Sequence, residues 1–188
     1  DKALEIINSS VNKFPDYYNF YFLKAQIYEE NNNYQESIFI YNQILNQNSS
    51  LIDAKHSIAK LYNKIDNYYQ CDNIFLDLLD FDPNNIIFLN DFSLILSTRE
   101  SSSIEELKYA KKLSEYALKL ENDNAKSLGI HGWIYYRLGD SATALEYINK
   151  SLSIKNDPII SKYLLYILKN IDDYHNFNKV EFKNLDKN

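Results

Sequence analysis

Residues 124–158 read NAKSLGIHGWIYYRLGDSATALEYINKSLSIKNDP. All three glycines of the chain, Gly129, Gly132 and Gly139, fall in this stretch. Before Gly139, the residues Leu128, His131, Gly132, Tyr135 and Leu138 recur at three- and four-residue steps. After it, Ala144, Leu145, Ile148, Ser151, Leu152 and Ile154 do the same. Such steps place side chains on one face of an α-helix, so the stretch predicts helix, turn, helix, each helix with one apolar face. The break falls at Gly139-Asp140, where a glycine can take the left-handed conformation that ends a helix. Gly132 and Ala144 are small enough to let the two helices approach closely.

This stretch resembles one tetratricopeptide repeat (TPR), a unit of about 34 residues with the pattern W-x2-L-G-x2-Y, then A-x3-F, then P. Gly132 stands at the family's small residue of the first helix and Tyr135 at its aromatic residue. Gly139-Asp140 stand at the turn, Ala144 at the small residue of the second helix, and Leu152 at an apolar position further along it. Leu128 replaces the family's Trp, and His131 replaces its Leu. The run His131–Gly139, HGWIYYRLG, is similar to repeats in the C-terminal part of long bacterial TPR proteins.

The period recurs outside this stretch. Residues 1–17 fit only the second helix of a repeat, through Ala3, Leu4, Ile7, Ser10, Val11, Phe14 and Pro15. A lone second helix leaves an apolar face without its partner. The expectation is that the native protein continues upstream; the alternative is that this helix is a genuine cap. Residues 18–51 carry Ala25, Tyr28, Tyr34, Ser37, Tyr41 and Leu45 in register, with Asn31, Asn32 and Asn33 as the turn. Residues 52–85 repeat the pattern with Ala59, Tyr62, Tyr68, Cys71, Phe75, Leu79 and Pro83. Cys71 replaces a small alanine and reads as a buried apolar group rather than a reactive thiol.

Residues 86–124 form a longer repeat. Leu89, Phe92, Ser93 and Leu96 mark its first helix; Leu107, Ala110, Tyr116, Ala117, Leu118 and Leu120 mark its second. Aligning Ala110 with the small position requires an insertion near Ser101-Ser102-Ser103-Ile104-Glu105. Serines followed by Glu predict a loop and a helix N-cap, read as a tolerated surface insertion. Residues 159–171, with Tyr163, Tyr166, Ile167 and Leu168, predict a capping helix on the last repeat. Residues 172–188 are polar, with Phe177, Val180, Phe182 and Leu185 spaced for one short amphipathic helix. The resemblance therefore implies an all-α fold: a right-handed α-solenoid of helix-turn-helix repeats with a C-terminal capping helix.

Composition agrees with that class. The chain has 188 residues, 45% hydrophobic and 24% charged, with only three Gly and three Pro to make turns. Its net charge of −6 argues against a general nucleic-acid binder. The single cysteine excludes an internal disulfide. No apolar run is long enough to cross a membrane, and no signal peptide is visible. A chain that begins at Asp1 and has no methionine reads as part of a longer or processed protein. The resemblance is compatible with a bacterial cytoplasmic or envelope-associated protein; the chain itself names no compartment.

The search for chemistry is negative. His56, His131 and His175 are far apart in sequence, and His131 falls on a core-facing position. Asp172, Asp173 and His175 sit on the polar tail and read as solvated. The glycines follow no strand and precede no Gly-Lys-Ser/Thr, so they form no phosphate loop. No nucleophile has a neighbouring base. No catalytic residue, metal ligand or cofactor is expected.

What remains is binding. The resemblance implies that first helices line a concave wall. Its residues include His56, Lys60 and Lys64 in the second repeat, Ile130, Trp133, Tyr136 and Arg137 in the fourth, and Tyr163 and Ile167 in the cap. Trp, Tyr and Arg are the types most enriched at interface hot spots. Lys60, Lys64 and His56 suit an extended ligand with some acidic character. Trp133 either contacts ligand or packs on the cap helix. The two-carboxylate clamp that some TPR proteins use for chaperone C-termini is not matched by Phe22, Gln26, Ser57, Ile87 and Asp91, nor by His56, Lys60, Asp91, Lys126 and Ile130. The expected function is a non-enzymatic module that binds a partner protein or extended peptide, with weak self-association through the N-terminal edge. The alternatives are a structural spacer or self-associating repeat array within a larger protein, and a catalytic domain elsewhere in the full-length chain.

Overall fold

Among the described residues, three adopt the left-handed backbone conformation, and they mark the turns. Asn32 and Asp66 have φ of 58°, and Gly139 has φ of 92°. Each stands at the same place in its repeat, between a first and a second helix. The next amide reaches back across the turn in all three. Asn33 N–H donates to the Tyr28 carbonyl at 2.8 Å, Asn67 N–H to Tyr62 at 2.9 Å, and Asp140 N–H to Tyr135 at 2.9 Å. This six-residue closure satisfies a carbonyl that the helix end would leave orphaned. Tyrosine reinforces two of the turns: Tyr34 Oη donates to Asn32 Oδ1 and Tyr68 Oη to Asp66 Oδ1, each at 2.7 Å.

The computed structural model describes the backbone of residues 2–185 and the side chains of residues 2–171. Among the described residues the fold is all α-helical repeat, in two units, Asp1–Pro83 and Asn84–Asn188. The first contains α1 (Lys2–Lys13), α2 (Tyr18–Glu30), α3 (Tyr34–Gln47), α4 (Ile52–Lys64) and α5 (Tyr68–Phe81). The second contains α6 (Ile86–Thr98), α7 (Ile104–Leu120), α8 (Ala125–Arg137), α9 (Ser141–Ile154) and α10 (Pro158–Leu185). Within each unit, consecutive helices pack on one another; in the second, α6 also meets α8, and α8 meets α10.

The small residues in register on the paired helices are buried, and at Gly132 and Ala144 the helices meet closely, as the sequence predicts. Ala25 and Ser37, Ala59 and Cys71, Ser93 and Ala110 are each 0% exposed, as is Ala144 opposite Gly132. Cys71 is a buried free thiol. Gly132 shows how tight the contact is. A Cβ there would lie 2.9 Å from the Ala144 carbonyl oxygen and 2.8 Å from Ile148 Cγ1. Around these contacts the first unit buries Ile38, Tyr41, Ile44, Ile58 and Leu61, and the second buries Phe92, Leu96, Leu128, Ile134 and Ile148.

The third repeat departs from the pattern. Arg99, which follows α6, is extended (φ −63°, ψ 134°) rather than left-handed. Residues 99–103 carry the chain to α7, whose N-terminus is closed by a capping box. Ser103 Oγ accepts from Glu106 N–H at 3.1 Å, and Ser103 N–H donates to Glu106 Oε2 at 2.6 Å. The sequence predicts this cap, but not that the insertion is tied into the fold. Ser102 Oγ bonds the Leu96 and Arg99 carbonyls, and Arg99 is 4% exposed.

Helix α10 buries Ile160 and Ile167 in one cluster with Ala144 and Ile148. Its other side exposes Leu165 (68%) and Tyr166 (54%). The helix runs past Ile171, where the sequence reading ends the cap, to Leu185. The side chains of Phe177, Val180, Phe182 and Leu185, and of Asp172, Asp173 and His175, lie outside the described residues.

The Gly132–Ala144 contact gives a direct check. Gly132→Ala forces a methyl group against backbone, and Ala144→Leu overpacks the same place. Each variant is expected to lose about 1–3 kcal/mol of stability, read as a lower midpoint in thermal or denaturant unfolding. Unchanged midpoints would mean that the two helices do not meet there.

Candidate functional site

The C-terminus of α6 lacks the left-handed turn that closes the other first helices, so its last carbonyls need other donors. Helix α8 supplies them. Trp133 Nε1 donates to the Ser97 carbonyl at 3.2 Å. The Arg137 guanidinium donates to that same carbonyl and, through Nη2, to the Arg99 carbonyl at 3.1 Å. Arg99 in turn lies 3.7 Å from the Glu106 carboxylate. Two of the expected ligand-binding residues therefore hold the corner between α6 and the inserted loop.

Trp133 is also a packing residue. It is 8% exposed, and its indole stacks on Tyr163 with ring centroids 4.3 Å apart and planes 18° apart. Trp133 thus packs on the cap helix, and it also borders an open cleft. Ile130 and Ile167, at 1% and 0% exposure, are core residues rather than accessible wall. The physical reason is that α8 lies between α6 and α10, so its inward positions are filled from both sides. Burial raises the Tyr163 phenol to about 12, with the Asp157 charge adding to the shift.

Tyr136, the next expected residue on α8, is half-buried. Its ring lies 5.5 Å from Trp133 and meets Tyr166 edge-on at 5.8 Å and 88°. Partial burial raises its phenol pKa, Tyr166 adds to that, and Arg137 opposes it. Two neighbouring clefts share Tyr136, Gly139 and Ser141 in their walls. One, of about 660 Å³, is lined by Thr98, Glu100, Trp133, Arg137, Ser141 and Tyr166 among others. The second, of about 680 Å³, is more apolar and is lined by Ala142, Leu145, Asn170 and Ile171 with Gly139 and Ser141. Sequence reasoning missed Tyr166 and Glu100. Tyr166 falls where a first helix normally faces its own second helix, and it is exposed because no such helix follows α10 among the described residues. Glu100 belongs to the insertion, where the repeat register gives no guidance.

The remaining expected residues are in the first unit. His56 is half-buried and meets the Phe75 ring edge-on at 5.7 Å, while Lys60 and Lys64 are exposed. On the same helix, Ser57 hydrogen-bonds the buried Tyr41 phenol. In the second unit, Lys126 Nζ is paired with Asp91 Oδ1 at 2.6 Å. Asp91 thus presents a neutralised carboxylate where a carboxylate clamp needs a donor.

His131 is a core histidine. It is 2% exposed, its Nδ1 is 2.8 Å from Ser114 Oγ, and the rings of Tyr135 and Tyr147 flank it edge-to-face at 4.9 and 4.7 Å. Burial lowers its pKa from 6.5 to about 4; Glu115 opposes the shift and Lys111 assists it. Among the described residues, no group of three or more His, Cys, Asp or Glu could hold a metal ion, and no helix is long and apolar enough to cross a membrane.

Paired antiparallel helices with a shared turn and shared small contacts define an α-helical repeat protein. The sequence model of the tetratricopeptide repeat matches residues 18–50 and 125–158, so these two stretches are TPR repeats, and the helical-repeat fold around them is of the same kind. No curated protein matches the chain in sequence. Among solved structures, it is similar to a TPR protein from Parabacteroides merdae, with a TM-score of 0.71 at 18% identity over 95% of this chain and 71% of that one. A thermophilic TPR protein of Thermus thermophilus gives a TM-score of 0.70 at 15% identity over 80% and 81%. YrrB, described as a TPR protein with an unusual peptide-binding site, gives 0.62 at 14% identity over 88% and 82%. Identities this low show a common fold.

The depressed pKa of His131 sets a pH dependence. Above 6.5 the imidazole is neutral both folded and unfolded. As pH falls from 6.5 toward 4 the unfolded chain takes up the proton and the folded one resists, so stability is lost over that window. The loss at pH 4.5 is expected to be about 2–3 kcal/mol from this group. His131→Leu restores the family residue and removes the titration. Unfolding free energies at about pH 7 and about pH 4.5 should therefore converge by that amount in the variant, and an unchanged difference would show that His131 does not titrate as described.

Proposed function

We propose that the chain is a non-enzymatic protein-interaction module whose partner contact in the second unit is the pair of clefts around Tyr136. The TPR fold is a typical protein–protein interaction module. The observation that carries the reading is the state of Tyr136 itself: a half-buried ring, braced by Trp133 and Tyr166, that lines two open clefts. A side chain already fixed by its neighbours loses little entropy on binding, and fixed aromatics supply most of the energy of many interfaces. Trp133, Arg137 and Tyr163 act as its support. YrrB, a relative in fold, is described as binding peptide at an unusual site.

Two substitutions separate support from contact. Trp133→Ala removes a stacked, hydrogen-bonded core ring and is expected to cost about 3–5 kcal/mol of stability. Tyr136→Ala should cost about 1 kcal/mol while abolishing capture of the partner. Melting curves and quantitative pull-down of both variants check this. Undiminished capture by a folded Tyr136→Ala protein would sink the assignment.

A second reading, self-association through the N-terminal edge, is favoured by α1. That helix buries only Ile7 and leaves Ile6 60% and Phe14, just beyond its end, 45% exposed. Sedimentation should show concentration-dependent association that Ile6→Lys removes. Purely monomeric behaviour at high concentration would count against it.

A further inference from the structure

We propose that the exposed face of α5 is a docking surface for a second copy of this chain, which meets it with the exposed face of α7. The contact is separate from the clefts around Tyr136 and from the α1 edge.

The acidic half comes from an unusual run of sequence. Between Lys64 and Arg99 there is no lysine, arginine or histidine, and there are six aspartates. Helix α3, the other second helix packed in that unit's repeats, has no basic residue either. On α5, Tyr69, Leu76, Asp77 and Asp80 are exposed, Tyr69 to 75%. At 3.6 residues per turn these four fall within about 100° of one another around the helix. Tyr69 and Leu76 stand seven residues apart, which is two turns along one side. Neither Asp77 nor Asp80 has an ion-pair partner among the described residues. Covering this apolar stripe with an uncharged or acidic partner would desolvate carboxylates without pairing them. The face therefore selects a basic partner.

Helix α7 carries the same pattern with the sign reversed. Tyr109 and Tyr116 are exposed and again seven residues apart. Lys108, Lys112 and Lys119 flank them within the same arc, exposed and without an ion-pair partner among the described residues. The acids of α7 are mostly engaged elsewhere: Glu106 closes the capping box and Glu115 pairs with Lys111. Glu105 shares the face only at its first turn, four residues before Tyr109. Both tyrosines are held in advance. Tyr109 meets Phe92 edge-on at 6.0 Å, and Tyr116 Oη donates to Asn84 Oδ1 at 2.5 Å. Fixed rings lose little freedom on docking.

One chain thus holds both halves of a seam: two apolar residues two turns apart on each helix, with aspartates beside one pair and lysines beside the other. Because the two faces differ, the contact is heterologous. The net charge of −6 opposes association at long range. Salt at about 0.1 M screens that repulsion beyond about 10 Å, while ion pairs in contact are screened less.

The test is sedimentation equilibrium of the whole chain carrying Ile6→Lys, which removes any contact through α1. This protein is expected to self-associate at about 0.1 M salt and less at about 0.5 M. Asp80→Lys and Lys112→Glu, added singly at exposed positions, should keep the melting temperature and each weaken association about tenfold. Mixed in equal amounts, the two variants should associate again. The unaltered α5 face of the Lys112→Glu copy then meets the unaltered α7 face of the Asp80→Lys copy. A monomeric Ile6→Lys protein, undiminished association of both charge variants, or a mixture no stronger than either variant alone overturns the inference. Partner capture through Tyr136 uses neither face, so its outcome leaves this result unchanged.

Discussion

Everything in this molecule depends on how closely two helices can approach within a repeat. At one crossing Gly132 meets Ala144 and Ile148, and the small residues in the same register of the other repeats, Ala25, Ser37, Ala59, Cys71, Ser93 and Ala110, are all fully buried. At such a crossing backbone packs on side-chain stubs, and larger neighbours interdigitate around it. A helix of 13 or 14 residues, such as α2 or α3, is marginal by itself in water. Docking on its partner and on the next pair is what makes it stable.

That constraint is also why so much of the fold is legible in the sequence. Small residues recur at fixed intervals because the crossing recurs, and Asn32, Asp66 and Gly139 recur because a chain reversing after a helix needs a residue that tolerates positive φ. Cys71 and His131 can be placed in the core for the same reason: their register leaves them nowhere else to point. The candidate site was legible only in outline. Trp133 and Arg137 have the residue types of an interface hot spot and the register of a concave wall, yet they hold the Ser97 and Arg99 carbonyls. Nothing in their own sequence neighbourhood shows this. It follows from the insertion one repeat earlier, which removes the left-handed closure of α6 and leaves carbonyls to be satisfied from outside. Ile130 and Ile167 are buried where the register expects an open wall, because that register ignores how tightly α6, α8 and α10 fill it.

The insertion therefore has two effects on one corner. It removes a local hydrogen-bond closure, which recruits Trp133 and Arg137 as struts. It also replaces the tight turn with extended chain at Arg99, and Glu100 and Thr98 border a cleft there. In most repeat arrays loop variation changes the surface and leaves the helices alone. Here the loop and the aromatic cluster are one construction, and a change in either is transmitted to the shape of the ground around Tyr136.

The position of Trp133 has a practical consequence. It is the chain's only tryptophan, set among 17 tyrosines, and it lies in the second unit with its indole stacked on Tyr163 and its N–H committed to a carbonyl. Red-edge-excited emission from this protein is thus a local signal, reporting on one aromatic stack, whereas far-ultraviolet ellipticity averages over helices in both units. A linear array whose stability is a sum of neighbour terms need not lose all its helices together. The separation between the two signals during denaturation measures how strongly one unit's folding is coupled to the other's, with no label added and no residue changed.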